Sequence, residues 1–290
     1  MKRLATALLA LVVSGFAAAP ARAQTTEADI GRQVYQQLAQ KGEIIARPNA
    51  MYNVLDPIAA RIKRVADPQY TYPFTFILVH ETQPNAFAVP GGNVYVTDSL
   101  MKFVKNQEEL SGVLCHETSH DIHHDVVNLQ GKDQTQAALI SVIGGLLGAN
   151  RSAIGQGLEG VAYSIDTTRF SRAVETSADL KGSDTCATAG FNPWGLIWLF
   201  QAFEATGGNQ GMEAISDHPL DQHRISDIEA HFRQNPRLFA RYSSNIATGT
   251  PLTLAGRPSA TKPIARARTK STSKNGLANS SIWDKYNRRP

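Results

Sequence analysis

Apolar and polar positions alternate in two ways along the chain, with a helical period over most of it and a short region of strand-like alternation in between. Ile30, Val34 and Leu38 recur at helical spacing as far as Gly42, and Thr26 with Asp29 three residues on is a helix-start signal. A second helix is expected over 53–65, with Pro57 in an awkward early position and Asp67-Pro68 ending it. The run FTFILV over 74–79 is β-branched and aromatic and reads as a strand. Residues 85–89 and 93–97 flank Pro90-Gly91-Gly92, the pattern of a hairpin. Next comes a helix started by Asn106, with Glu109 as its capping partner. It carries Leu110, Val113 and Leu114 on its apolar side and is expected to reach at least Val127. Three more helices are expected: from about Arg169 through Gly182 or beyond, from Trp194 to Ala205 behind Asn192-Pro193, and from Asp217-His218-Pro219 to Asn235-Pro236. The pattern therefore predicts a mainly helical α+β fold, with a small antiparallel sheet packed on the helix that begins at Asn106.

Two apolar stretches stand apart from this body. Lys2 and Arg3, an apolar run over 4–19 and the small-x-small site Ala21-Arg22-Ala23 make residues 1–23 a cleavable secretory signal, with no cysteine at the site to suggest a lipoprotein. The run AALISVIGGLLGA over 137–149 is too short to span a bilayer and reads as a buried core helix. Its glycines weaken that helix, and the competing reading is a surface element that leans on a membrane or an unfolded client. From Ala247 onward the periodicity is lost. This divides the chain into a signal (1–23), one domain (24–246) and a disordered tail (247–290).

Charge sharpens that division. Of 29 basic residues, nine lie in 251–290 against Asp284 alone and three lie in the signal, leaving 17 basic against 24 acidic residues over 24–250. The body is acidic, which removes the electrostatic footprint of a nucleic-acid binder. The basic tail suits peripheral contact with a membrane or another anionic surface. Cys115 and Cys186 are the two cysteines, read as small buried residues too far apart to bridge.

The chemistry concentrates at His116-Glu117-Thr118-Ser119-His120. On a helix, positions four apart share a face, so the two imidazoles converge on one point at which a zinc ion would accept them. Glu117 lies about 100° further round and can act as the base that takes a proton from an activated water. A metzincin would continue with glycine at 123 and histidine at 126, where this chain has His123 and Val126. The remaining large branch supplies a glutamate from a later helix, and Glu175 is the candidate. Asp179, four residues on, would accept the second ring N–H of a ligand histidine.

Five ordered blocks now extend the motif: NAFAVPGGNVYVT over 85–97, HETSH over 116–120, FSRAVETSAD over 170–179, AGFNP over 189–193, and Asp217-His218-Pro219 with Arg224. Together they resemble the extracytoplasmic HtpX, BepA and OMA-like zinc peptidases (peptidase family M-forty-eight, of the gluzincin type) over nearly all of residues 27–235. The resemblance implies one zinc ion per chain held by His116, His120 and Glu175, with Glu117 as catalytic base. It places His218 near the metal, as a plug of the fourth position or an oxyanion donor, and makes Arg224 a structural anchor. Where relatives often carry a further histidine after the motif, this chain has His123, His124 and then Asp125, none of them read as a ligand. The implied function is an endopeptidase of the bacterial envelope, periplasmic or secreted. Its substrates would be misfolded or misassembled envelope proteins, recognised as extended backbone at a sheet edge. It would be a compact member without membrane spans or a helical repeat module. The competing reading is a chaperone-like adaptor whose zinc site is plugged by His218.

Overall fold

A computed structural model describes residues 26–129, 170–206 and 222–254. Residues 1–23, read above as a signal, the apolar run 137–149, the block 217–219 with His218 and the tail from residue 255 lie outside the described residues.

The first helix, α1 (Glu27–Gln40), opens on the capping box of Thr26 and Asp29 and buries Ile30, Val34 and Leu38. Helix α2 (Tyr52–Ala66) accommodates Pro57 in its second turn and buries Leu55, Ile58 and Ile62. Strands β1 (Thr75–Val79), β2 (Ala86–Val89) and β3 (Asn93–Thr97) follow. The hairpin around Pro90-Gly91-Gly92 is the antiparallel pair β2–β3, but β1 lies parallel to β3, with Thr75 opposite Asn93. The sheet is therefore mixed, in the order β1-β3-β2, and not wholly antiparallel as the sequence suggested. The reason is topological: β3 returns between β1 and β2, so the strands joined by residues 80–85 are not neighbours.

Alternate strand residues enter different cores. Phe76, Leu78, Val94 and Val96 pack with α2, while Ile77, Val79, Phe87 and Tyr95 pack against Ile30, Val34 and Leu38 of α1. A sheet buried on both faces explains the nearly unbroken apolar runs. After α3 (Asp98–Phe103) comes the long α4 (Gln107–Ile122), most of whose residues are buried. Asn106 caps it by accepting from Glu109 N at 2.8 Å, while the Glu109 carboxylate takes the Lys105 amide at 2.7 Å. The helix stops at Ile122, short of the expected Val127. His124 adopts the left-handed conformation (φ 55°), and α5 (Asp125–Leu129) starts in a new direction.

Helix α6 (Arg172–Thr188) passes α4 antiparallel, Ser177 lying by His123, Gly182 by Cys115–His116 and Cys186 by Ser111. The approach is close enough that a Cβ at Gly182 would meet His116 Cα and N at 2.9 Å. This overturns the expected separation of the cysteines. Cys115 and Cys186 are buried free thiols in contact with one another, and Cys186 Sγ also donates to Ser111 O at 3.1 Å. The long Glu175 side chain reaches along the groove, so its end does not mark the level at which the helices cross.

Helix α7 (Trp194–Ala205) crosses the other flank of α4, Gly112 against Leu196 and Gly195 against Glu108. Helices α8 (Gln222–Gln234) and α9 (Pro236–Phe239) close a third core with Leu196, Phe200, Phe232 and Phe239. Residues 247–254, grouped with the tail by composition, lie on the start of α4. Gln107 N donates to Thr250 O, Thr250 N donates to Glu108 Oε2, and Leu252 and Leu254 are buried.

Candidate metal centre

His116 and His120 project from successive turns of α4, and their Nε2 atoms lie 3.1 Å apart. Glu175, in the first turn of α6, brings Oε2 to 3.6 Å from His116 Nε2 and Oε1 to 3.7 Å from His120 Nε2. Among the described residues this is the group of donors able to hold a metal ion, all three atoms within 4.8 Å of one another and all three residues buried. Ligands on a tetrahedral zinc at about 2.0–2.1 Å stand about 3.3 Å apart, a spacing close to the three separations seen here. Two imidazole nitrogens and a carboxylate also leave a fourth position open, the donor set of a catalytic site.

Each imidazole is backed by a carboxylate. His116 Nδ1 lies 2.9 Å from Asp179 Oδ1, one turn beyond Glu175 on α6. His120 Nδ1 lies 2.9 Å from Asp125 Oδ2, and its ring stacks on Phe170 with centroids 4.4 Å apart. Such partners fix which ring nitrogen faces the metal and raise its basicity. Asp125 reaches His120 because the left-handed His124 folds the chain back. Burial, followed by the Glu175 carboxylate, pushes Asp125 up to about 6.

Arg224, from α8, ties the acids together and is only 1% exposed. It donates from Nε and Nη2 to the two oxygens of Asp179 at 2.7 Å each, and its Nη1 lies 2.9 Å from Glu175 Oε2. Burial opposes the guanidinium charge, but Asp179 and Glu175 outweigh it and hold the pKa above the usual arginine value. Two carboxylates sharing one guanidinium leave a negative excess that a divalent cation offsets.

Glu117 faces the sheet. Its Oε2 accepts the Ala88 amide of the edge strand β2 at 3.0 Å. One turn on, buried Asp121 accepts the Gly92 amide at 3.1 Å. Burial, followed by Glu27, raises Asp121 well above the usual carboxylate range. Neither His123 nor His124 joins the donor group. His123 lies by Ser177, and His124 Nδ1 is 2.7 Å from Glu27 Oε1. The structure thus gathers His116, Glu117, His120, Glu175, Asp179 and Arg224 at one place, and adds Asp125, Asp121 and the Ala88 amide. Asp125, which the sequence pattern left without a role, follows the second histidine of the motif by five residues.

The chain is 31% identical over 172 residues to the beta-barrel assembly-enhancing protease of Yersinia pestis, covering 56% of this chain and 35% of that protein. It is 26% identical over 238 residues to the protein of the same name in Escherichia coli K12, covering 79% and 48%. With the mitochondrial metalloendopeptidase OMA1 of Schizosaccharomyces pombe it shares 31% identity over 155 residues, 52% and 44% of the two chains. It spans half or less of the length of these curated relatives. The model of peptidase family M48 matches residues 49–231, most of the chain and every described residue of the metal centre, and the chain belongs to that family.

Proposed function

We propose that this chain is a zinc-dependent endopeptidase of the bacterial cell envelope that cleaves misfolded or misassembled proteins. The observation that carries the reading is the convergence of His116, His120 and Glu175, with Glu117 on the adjoining face of the same helix. His116 Nε2, His120 Nε2 and the Glu175 carboxylate would hold the metal, with Asp179 and Asp125 orienting the two rings. Bound there, zinc supplies Lewis-acid activation of water and polarisation of the scissile carbonyl. Glu117 takes the water proton on its carboxylate and returns it to the departing amine. The edge of β2, whose Ala88 amide already meets Glu117, offers backbone groups to an extended substrate beside the reacting centre. Recognition through backbone suits unfolded chains of many sequences. The names of the bacterial relatives and the signal-like residues 1–23 support an envelope location. Among the described residues no helix is long and apolar enough to cross a membrane.

The test compares the wild type with Glu117→Gln and His218→Ala, measuring casein cleavage together with bound zinc. Glu117→Gln should keep its zinc and lose at least about 100-fold in cleavage, the scale of a lost general base. Equal inactivity of all three proteins at full zinc occupancy would sink the peptidase reading and favour the plugged adaptor.

A further inference from the structure

Glu117 and Asp121 stand one turn apart on α4, and each takes a main-chain amide of the β2–β3 hairpin, Ala88 N at 3.0 Å and Gly92 N at 3.1 Å. Residues 88 and 92 are themselves four apart, so helix and hairpin are clasped at two matching points. The turn between them is stiff. Gly91 and Gly92 have φ of 100° and 87°, and a Cβ on either would meet a carbonyl oxygen, Glu27 O at 2.8 Å or Pro73 O at 2.7 Å. Gly91 N donates to Tyr70 Oη at 3.0 Å, and the Tyr70 hydroxyl donates in turn to Glu27. Consecutive amides of the turn are thus held by different parts of the fold, and Asp121 supplies the link to α4.

We propose that Asp121 is a positioning residue for the hydrolytic reaction: by holding the Gly92 amide it fixes the height of β2 on α4, so that the Ala88 amide meets the Glu117 carboxylate. Asp121 belongs neither to the metal donors nor to the carboxylates behind the imidazoles. Its bond acts through the turn on the strand that flanks the reacting centre. Without an acceptor at 121, Gly92 N is left in a buried place and the turn shifts to recover a partner. Ala88 then moves relative to Glu117, and displacements of about 1 Å near reacting groups cost up to about 100-fold in rate.

The inference rests on Glu117 acting as the base, and the experiment separates the two. Full-length D121A, D121N and E117Q are compared with wild type for bound zinc, thermal unfolding, and kcat and KM on an internally quenched peptide. D121A should keep its zinc while kcat per zinc falls about 10- to 100-fold, more than KM changes. D121N, whose side-chain oxygen can still accept from Gly92 N, should restore most of kcat. A purely structural role would lower the unfolding temperature of D121A and leave kcat per zinc unchanged, which overturns the proposal. So does a D121N as slow as D121A. Should D121A not fold, the near-isosteric D121N decides: a tenfold loss of kcat in it overturns the proposal, and retained kcat supports an acceptor role. An active E117Q removes the base reading itself, whereas an inactive E117Q beside a fully active D121A removes this inference alone.

Discussion

The two flanks of α4 handle buried acids differently. Toward α6, Glu175 and Asp179 lie against the Arg224 guanidinium and the imidazoles of His116 and His120. Toward the sheet, Glu117 and Asp121 accept main-chain amides. A guanidinium neutralises charge, and it is costly to remove once buried. An amide dipole orients a carboxylate without cancelling its charge, and burial, followed by Glu27, holds the Asp121 pKa well above the usual carboxylate range although the Gly92 amide lowers it. One flank is therefore built to hold a fixed charge set around a cation, and the other to place acids at a set height on the helix.

The largest effect should come from removing the cation of the first flank. Arg224→Met leaves Glu175 and Asp179 buried without their partner, a change worth about 3–5 kcal/mol of stability. Denaturant unfolding of the metal-free protein measures it. A loss below about 1 kcal/mol would show that the α6 flank does not depend on its charge pair, and the contrast between the flanks would collapse.

Next in size are the two carboxylates behind the imidazoles. Asp179→Asn and Asp125→Asn should each weaken zinc binding by about 10- to 100-fold, read by competition with a chelator. They should differ in stability. Asp179 also pairs with Arg224, so its amide variant unfolds more easily, whereas Asp125 sits at the end of a local turn and its loss acts mainly on the metal. Equal destabilisation by both would argue that the charge pair is not confined to the α6 flank.

How much of this the chain displays in one dimension follows from what each contact is made of. His116, Glu117 and His120 are visible because helical spacing puts them on adjoining faces, and Glu175 with Asp179 repeats that spacing on a later helix. Asp125 was hidden because the turn that returns it to His120 depends on a left-handed histidine, for which glycine or asparagine would have been the local signal. The Ala88 and Gly92 contacts were hidden for another reason: a main-chain amide has no side-chain identity to read. The parallel pairing of β1 and the meeting of Cys115 with Cys186 are set by topology and helix direction, neither of which local periodicity encodes. The packing of 247–254 went unseen because Leu252 and Leu254 alternate within a segment whose composition resembles the tail that follows.

The closeness of the α4–α6 crossing gives a third, smaller test. A methyl group at 182 meets backbone atoms, His116 Cα and N at 2.9 Å and Cys115 C at 3.0 Å, so a helix has to move. Gly182→Ala should cost about 1–3 kcal/mol, the range for overpacking a filled interface. Because the displaced residue is His116, zinc affinity should fall with stability. Stability loss with unchanged zinc affinity would mean that the crossing distance and the ligand geometry are independent.

The smallest effect is expected at the other end of the hairpin. Thr97 Oγ1 accepts the Asn85 amide at 2.9 Å and, as the cap of α3, the Leu100 amide at 3.1 Å. Thr97→Val keeps the shape and removes the acceptor, which should cost about 1 kcal/mol, the usual worth of a helix cap. If the turn end of the hairpin is set by Asp121, this loosening stays local, and kcat per bound zinc should remain at the wild-type value while the unfolding midpoint drops. A fall in kcat comparable to that of D121A would mean that the strand transmits disturbance from either end. The sheet flank would then act as one rigid body, and Asp121 would hold no special place on it.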